Sequence, residues 1–172
     1  MDEKETIALL KEAAGDDKEA FERVLAHVKA VQKVALRIAE KVSGINLETV
    51  RIGSLLHDIG RFSGNGIDHG IKGAEILRNK GLETFARIAE THIGAGINEQ
   101  DIEEQKLDIP KKDYTPKTKE EKIIAHADNL IFGAEERPFQ AVYDRFEKEI
   151  SIKIAERCKK LKEEIESWIS TN

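Results

Sequence analysis

The sequence has little of several residue types, and each scarcity excludes a class of protein. Cys158 is the only cysteine among the 172 residues, which excludes an internal disulfide and a cysteine-based zinc cluster. Only three prolines occur, so most of the chain is free to form long helices. No apolar run approaches the length of a membrane span, and the N-terminus lacks the basic start and apolar stretch of a signal peptide. We therefore expect a cytoplasmic protein with no membrane partner.

Charged residues are plentiful and slightly acidic on balance. The chain carries 33 acidic and 28 basic residues, a net charge of −5, beside 40% hydrophobic residues. This fraction of hydrophobic residues is too high for a disordered chain, and the length suits one domain with its own core. Because nucleic-acid-binding surfaces are normally basic, we do not expect a nucleic acid as partner. A small anionic substrate remains compatible, since local cations can outweigh a mildly acidic surface. Nothing in the sequence indicates an oligomeric state.

Hydrophobic periodicity is helical along most of the chain and predicts an all-α fold. Phe21, Val24, Val28 and Val31, for example, recur every three or four residues and would form one apolar stripe. We expect helices at about residues 3–14, 18–43, 46–58, 69–81, 82–91, 118–132 and 150–170. Asn46 and a capping box from Thr118 to Glu121 would begin two of them. Residues 93–115 form the longest stretch expected to be irregular. The architecture predicted for residues 1–172 is a single-domain helical bundle, with the C-terminal helix packed on the rest.

Several residues with metal-ligand side chains lie at or beside these apolar stripes. Asp128, for example, follows Ile124 by four residues and precedes Ile131 by three, where an unpaired carboxylate would be costly. Each such residue alone is more often a core or rim residue than a ligand. Their joint occurrence predicts a metal site that contains no thiolate and suits one or two divalent ions such as Mn, Fe, Co, Ni, Zn or Mg. The predicted ligands are His27, His57, Asp58, His69, His92 and Asp128.

The order and surroundings of these residues resemble the HD superfamily of metal-dependent phosphohydrolases, in its HDIG-type form. The resemblance covers about residues 20–135 and lies in His-Val-Lys-Ala-Val at His27, Leu-Leu-His-Asp-Ile-Gly-Arg at His57, His-Gly-Ile-Lys-Gly-Ala-Glu-Ile-Leu at His69, Thr-His-Ile-Gly at His92 and Ala-Asp-Asn-Leu at Asp128. It implies an all-helical bundle in which one metal is held by His27, His57, Asp58 and Asp128. In the binuclear branches a second metal is held by the residues matching His69 and His92, and Asp58 would bridge.

Two details depart from the branch of this family that cleaves cyclic dinucleotides. That branch has a doubled histidine where this sequence has Thr91-His92, and a Gly-Tyr-Pro signature that is absent here. A cyclic dinucleotide is therefore not the expected substrate. His126 lies two positions from Asp128 and so would point away from it on a helix, which indicates a structural or solvent-facing role.

The function indicated is hydrolysis of a phosphate ester in a small phosphorylated or nucleotide-like molecule by a metal-activated hydroxide. Besides Asp58, the catalytic candidates are Arg61, which could donate two hydrogen bonds to a phosphate, and Lys72, which could supply a second cation. An ordinary solvated surface charge is the alternative interpretation of both, and for Lys72 it is at least as well supported. Two alternatives are a di-iron oxygenase of the same fold and a non-catalytic nucleotide-binding module, although a complete ligand set argues against the second.

Backbone features near the candidate ligands lead to two further expectations. Gly60, Gly64 and Gly66 would let the chain turn away after the His-Asp pair. The loops at residues 63–67 and 93–115 adjoin ligand histidines, so we expect both to flank the site and to set substrate size.

Overall fold

The computed structural model describes residues 1–64 and 66–170, and within them the chain is helical almost throughout. Its α-helices are α1 (Glu3–Ala14), α2 (Lys18–Ala39), α3 (Leu47–Leu56), α4 (His69–Asn79), α5 (Glu83–Thr91), α6 (Glu99–Gln105), α7 (Lys119–Asn129), α8 (Phe139–Glu149) and α9 (Ile152–Ser170). A 3-10 helix spans Ile59–Phe62, and strands β1 (Ile131–Phe132) and β2 (Glu135–Glu136) pair antiparallel. The predicted all-α class is confirmed. None of the helices in the described residues has the length and apolarity needed to cross a membrane.

Both helix starts that were predicted from capping residues are present, but one of them lacks the predicted capping box. Asn46 accepts a hydrogen bond from the backbone N–H of Thr49, and Thr118 accepts one from that of Glu121. The Glu121 carboxylate does not complete a capping box, because it accepts instead from the backbone N–H of Lys117. The cap at Thr118 therefore fixes the start of α7, while Glu121 fixes the loop before it.

The segment at residues 93–115 is less irregular than expected, because it contains α6. This short polar helix begins with a reciprocal capping box between Asn98 and Asp101. Asp101 is buried, and its carboxylate accepts two hydrogen bonds from the guanidinium group of Arg157 on α9. A tertiary ion pair thus supports a helix that has too few apolar residues to be recognised by periodicity.

The chain between α7 and α9 also differs from the prediction. The helix expected to reach residue 132 ends at Asn129, and the β1–β2 hairpin follows it. The separate helix α8, which was not predicted, then buries Val142 and Phe146. Near the other end of the chain, α2 stops at Ala39, four residues earlier than expected. These changes matter for function because the hairpin and α8 approach the candidate site.

Two hydrophobic clusters form the core, and α2, α3 and α5 contribute to both. One cluster joins them to α1 and α4, and the other joins them to α7, α8 and α9. In α9 the buried residues include Ile154, Cys158, Leu161 and Ile165, so this helix packs against the helices that carry the ligand candidates. Burial raises the pKa of the Cys158 thiol to about 11, as suits a small core residue. That residues 1–172 make up one domain stays a prediction.

Candidate metal centre

Five helices bring the six predicted ligand residues to one place between the two clusters. His27 lies in the middle of α2, His57 and Asp58 directly follow α3, His69 begins α4, His92 directly follows α5, and Asp128 lies near the end of α7. The end of α3 is forced inward because Leu55 and Leu56 are fully buried. As a result His57 is 0% exposed and Asp58 is 2% exposed. The side chains of His27 and Asp128 are partly exposed and lie at the edge of the site.

Four of the residues converge as a first group. The Nε2 atom of His27 lies 2.9 Å from Oδ1 of Asp128 and 3.5 Å from Oδ2 of Asp58. The Nε2 atom of His57 lies 3.5 Å from the same Asp128 oxygen and 3.9 Å from the same Asp58 oxygen. His27, His57 and Asp58 offer donor atoms within 4.8 Å of one another, and Asp128 forms another such set with His57 and His92.

A second group lies on the other side of Asp58. Its remaining oxygen, Oδ1, is 3.1 Å from Nε2 of His69 and 3.4 Å from Nε2 of His92. The two imidazole nitrogens are themselves 3.0 Å apart. Asp58 thus offers one oxygen to each group, which is the arrangement expected of a bridging ligand.

The four imidazole rings are held in the same way, through the nitrogen that faces away from the centre. Each Nδ1 atom donates to a backbone carbonyl oxygen at 2.7 or 2.8 Å; the acceptors are those of Gly133 for His27, Ser54 for His57, Gly66 for His69 and Ala89 for His92. A carbonyl can only accept, so the proton of each neutral ring lies on Nδ1. In its neutral form each ring would therefore present the lone pair of Nε2 to the centre, whereas protonated His27 donates from Nε2 to Oδ1 of Asp128. Metal-binding histidines are oriented by this kind of hydrogen bond.

The donor atoms fit divalent cations better than they fit one another. Nε2 of His57 and Oδ1 of Asp58 are buried and make no hydrogen bond in the described part of the chain. The facing lone pairs of His69 and His92 would repel each other unless a cation or a proton lay between them. For metal–ligand distances of about 2.1 Å, neighbouring donors lie about 3.0 to 3.4 Å apart, close to the separations seen in both groups.

Both carboxyl groups of the centre are ionised at neutral pH. Burial alone would raise the pKa of Asp58, but its proximity to His57, His69 and His92 outweighs burial and holds that pKa well below its ordinary value. Burial would likewise raise the pKa of Asp128, and contacts with His27 and His57 lower it instead. Burial lowers the pKa of His92, which favours its neutral form. Burial would lower the pKa of His27, but its hydrogen bond with Asp128 and the nearby charges of Asp128 and Asp58 raise that pKa to about 9, so metal binding there would displace a proton.

Gly60 is required by close packing rather than by a turn. The φ of Gly60 does not lie in the left-handed region, whereas that of Gly64 is positive. A Cβ on Gly60 would lie 1.9 Å from the carbonyl oxygen of His69 and 2.5 Å from the amide nitrogen of Gly73. The missing side chain therefore lets the 3-10 helix touch α4, which brings Asp58 and His69 together.

The two predicted cationic residues occupy different surroundings. Arg61 lies beside the centre, and its Nε donates to Oδ2 of Asp58 at 2.9 Å. Lys72 pairs with Asp68 at 2.6 Å and does not line the cavity that leads to the centre. The catalytic role of Lys72 stays a prediction.

A cavity of about 600 Å³ opens onto the first group, where His27, Asp58 and Asp128 form part of its wall. Its other lining residues are Arg23, Val24, Ala26, Arg61, Ile131, Phe132, Gly133, Ala134 and Arg145. None of the described residues in the loops 63–67 and 93–115 lines this cavity, although Gly66 of the first loop accepts the hydrogen bond from His69; that the loops set substrate size stays a prediction. Asn65, in the first of these loops, lies outside the described residues. The β1–β2 hairpin and α8 line the cavity instead.

Sequence reasoning missed two arginines of this wall. Arg23 precedes His27 by one turn of α2, and that spacing was a signal that could have found it. Arg145 belongs to α8, which was not predicted. His126, in contrast, lies apart from the centre as expected; it is buried near Phe139, and burial lowers its pKa to about 4.

Comparisons with known proteins agree with this description. A family model described as HD domain matches residues 24–133. An uncharacterised protein of Methanocaldococcus jannaschii is 45% identical over 151 residues, covering 87% of each chain. The tRNA (cytidine(56)-2′-O)-methyltransferase of Picrophilus torridus is 43% identical over 167 residues, which are 96% of this chain but 47% of that protein. The enzyme of the same name from Thermoplasma volcanium is 45% identical over 144 residues, 83% of this chain and 41% of that protein. The chain thus spans less than half of either methyltransferase.

Solved structures share the fold. The HD domain of the L. monocytogenes phosphodiesterase PgpH superposes with a TM-score of 0.54 at 20% identity, with 96% of each chain covered. The same domain in complex with cyclic-di-AMP gives a TM-score of 0.55 at the same identity, covering 96% of this chain and 95% of that one. At this level of identity the match supports the fold alone.

Proposed function

The chain belongs to the HD domain family, and from this we propose that it is a metal-dependent phosphohydrolase acting on a nucleotide-like small molecule. The observation that carries the proposal is the clustering of four carbonyl-anchored imidazoles and two carboxylates in three overlapping sets of potential metal ligands. This donor set is costly to bury without cations. We infer that both groups bind a divalent metal, with Asp58 shared between them.

The residues around the centre have separate tasks in such a reaction. When bound, divalent cations would lower the pKa of a coordinated water to about 7 and neutralise phosphate charge. Arg61 fixes the orientation of Asp58 through its Nε, while its other N–H donors have no partner among the described residues. Those donors lie at the cavity wall and suit the oxygens of a phosphate. His27 and Asp128 lie at the cavity edge, so the substrate would enter beside the first group.

The names of the related proteins do not extend this proposal to other activities. Because the chain spans 47% and 41% of the two methyltransferases, we propose that methyl transfer belongs to the part of those proteins outside the matched region. Cyclic-di-AMP, which one of the PgpH structures contains, is not proposed as a substrate of this chain either. Thr91 stands here where the family branch that cleaves cyclic dinucleotides has the first of two histidines.

The test is a substrate panel run with Mn, Co, Ni, Mg and Fe(II) in separate reactions. Suitable substrates are p-nitrophenyl phosphate, its bis-ester, and nucleoside mono-, di- and triphosphates. We expect hydrolysis with at least one metal and its loss in His57→Ala. The matched control is His126→Gln, which alters a buried histidine outside the centre and should keep activity and metal content.

Two outcomes would contradict the proposal. The first is failure to hydrolyse any phosphate ester with any of the metals. The second is metal-dependent oxygen uptake by protein that was purified anaerobically and loaded with iron, which would favour the di-iron oxygenase. Hydrolysis consumes no oxygen, so an oxygen electrode separates the two activities directly.

A further inference from the structure

The arginines of the chain differ sharply in their partners. Seven of the nine form ion pairs with carboxylates: Arg37, Arg51, Arg61, Arg78, Arg87, Arg137 and Arg157. The other two, Arg23 and Arg145, make no ion pair or hydrogen bond within residues 1–64 and 66–170. Both line the cavity of the metal centre. In a chain with more acidic than basic residues, two unpaired guanidinium groups in one concave site indicate an anionic ligand.

Arg145 is held in place without using its hydrogen-bond donors. Its guanidinium carbon lies 4.3 Å from the ring centroid of Phe132 and 4.9 Å from that of Phe146. These cation–π contacts involve the faces of the rings, and the N–H groups of the guanidinium have no acceptor among the residues that the structure describes. A side chain that is already fixed loses less conformational entropy when it binds a ligand. Arg145 therefore has the properties of a preorganised anion-binding group.

Arg23 approaches the same cavity from α2. It precedes the ligand His27 by four residues, so both side chains lie on one face of the helix. Its side chain is exposed and free to follow a ligand. Both Arg23 and Arg145 lie outside residues 24–133, the segment that matches the HD domain model.

We propose that Arg23 and Arg145 form a subsite that binds a second phosphate group of the substrate. The preferred substrate is then a nucleotide with two or more phosphoryl groups, and a nucleoside monophosphate binds less tightly. This inference rests on the proposed function, because it places the first phosphate at the metal centre beside Arg61. The apolar residues Val24 and Phe132 in the same wall suit the nucleoside, and a volume of about 600 Å³ lies in the range of small-molecule sites.

The experiment compares the affinities of two hydrolysis-resistant probes for the metal-loaded protein by isothermal titration calorimetry. The probes are adenosine 5′-monophosphorothioate and α,β-methylene-ADP, which differ by one phosphoryl-like group. We expect the wild type to bind α,β-methylene-ADP more tightly. Arg145→Gln and Arg23→Gln should each weaken that binding by about 10- to 100-fold, as expected for charge-assisted hydrogen bonds. Binding of the monophosphorothioate should change by less than about threefold.

Two further variants separate a binding role from a structural one. Arg145→Lys keeps the charge and should recover part of the affinity for α,β-methylene-ADP. Arg51→Gln removes an arginine that pairs with Glu48 outside the cavity, and it should change neither affinity. If Arg145→Gln unfolds because Phe132 and Phe146 lose their stacking partner, the exposed Arg23 still provides the test.

The possible results distinguish this inference from the proposed function. Equal effects of Arg23→Gln on both probes, or no effect on either, would overturn the subsite even if phosphate esters are hydrolysed. A selective loss of α,β-methylene-ADP binding would support the subsite even if no substrate in the panel is hydrolysed. Equal affinity of the two probes for the wild type would also overturn it.

Discussion

Gly60→Ala is expected to damage both the fold and the metal centre, because the added methyl group has no space. Its Cβ would lie 1.9 Å from the carbonyl oxygen of His69 and 2.5 Å from the amide nitrogen of Gly73. Ordinary contacts of a Cβ begin at 3.4 Å, so α4 would have to move from the 3-10 helix by about 1.5 Å. No side-chain rotation can absorb this movement, since both obstacles are backbone atoms.

The movement would act directly on the second ligand group. Nε2 of His69 lies 3.1 Å from Oδ1 of Asp58, and metal sites tolerate deviations of only about 0.2 Å in ligand distance. We therefore expect the second metal to be lost. Overpacking a core costs about 1–3 kcal/mol, and the backbone clash places Gly60→Ala at the upper end of that range. For a chain of this length, about 3 kcal/mol corresponds to a fall in Tm of about 6–12 °C.

The assay combines urea unfolding, followed by circular dichroism, with metal analysis of the purified variant. Gly73→Ala is the matched control, because its nearest atoms, Gly60 N and Ile59 Cγ2, lie at 3.1 and 3.3 Å and need to give by only a few tenths of an ångström. Alanine also stabilises a helix interior by about 1 kcal/mol relative to glycine, so this control should stay near wild type and keep its metals. A Gly60→Ala protein with wild-type stability and metal content would refute the reasoning.

Three further predictions concern the metal centre and a buried ion pair. His69→Ala and His92→Ala should each hold one metal per chain where the wild type holds two; a single metal in the metal-saturated wild type would contradict the two-group arrangement. A chelator should lower the Tm by about 5–11 °C, because a ligand at a hundredfold excess over its Kd stabilises by about 2.7 kcal/mol; an unchanged Tm in verified metal-free protein would exclude this. Burial would raise the pKa of Asp101, but hydrogen bonds from Arg157 lower it, so the pair stabilises the fold above the ordinary pKa of about 4 and that contribution is lost as the pH falls. In urea unfolding, the destabilisation caused by Asp101→Asn should therefore be larger at pH 7 than at pH 3, and equal values would contradict it.

The position of the centre could be predicted because it depends on local pattern and one physical rule. Asp128 lies on the helix face of Ile124, which is fully buried, and a buried carboxylate must meet a partner. The same reasoning selected His27, His57 and His92, and the structure brings all of them together. That these residues bind metal stays a prediction, as does the number of ions.

The parts that sequence reasoning missed depend on contacts between distant segments. In α6, Ile102 and Asp101 are the only buried residues, and the helix is held by a cap and by Arg157 rather than by an apolar stripe. The hairpin has two residues in each strand, too few to show a periodicity of two. The sequence also could not show that the guanidinium of Arg145 has no hydrogen-bond or ion-pair acceptor among the described residues. This depends on where the neighbouring segments place their acceptor groups.

The hairpin and α8, which were not predicted, belong to the cavity wall rather than to the set of ligand residues. The ligand residues are fixed by buried helix ends and by hydrogen bonds to backbone carbonyls, and all of them lie within residues 24–133. The hairpin, α8 and α2 also line the cavity, and the cavity arginines Arg23 and Arg145 lie outside that segment. Because neither Arg23 nor Arg145 pairs with a ligand residue, substitutions there can change which phosphate compound binds without disturbing the metals. Under the proposed function, the ligand residues would then supply hydrolysis, while Arg23 and Arg145 select the substrate.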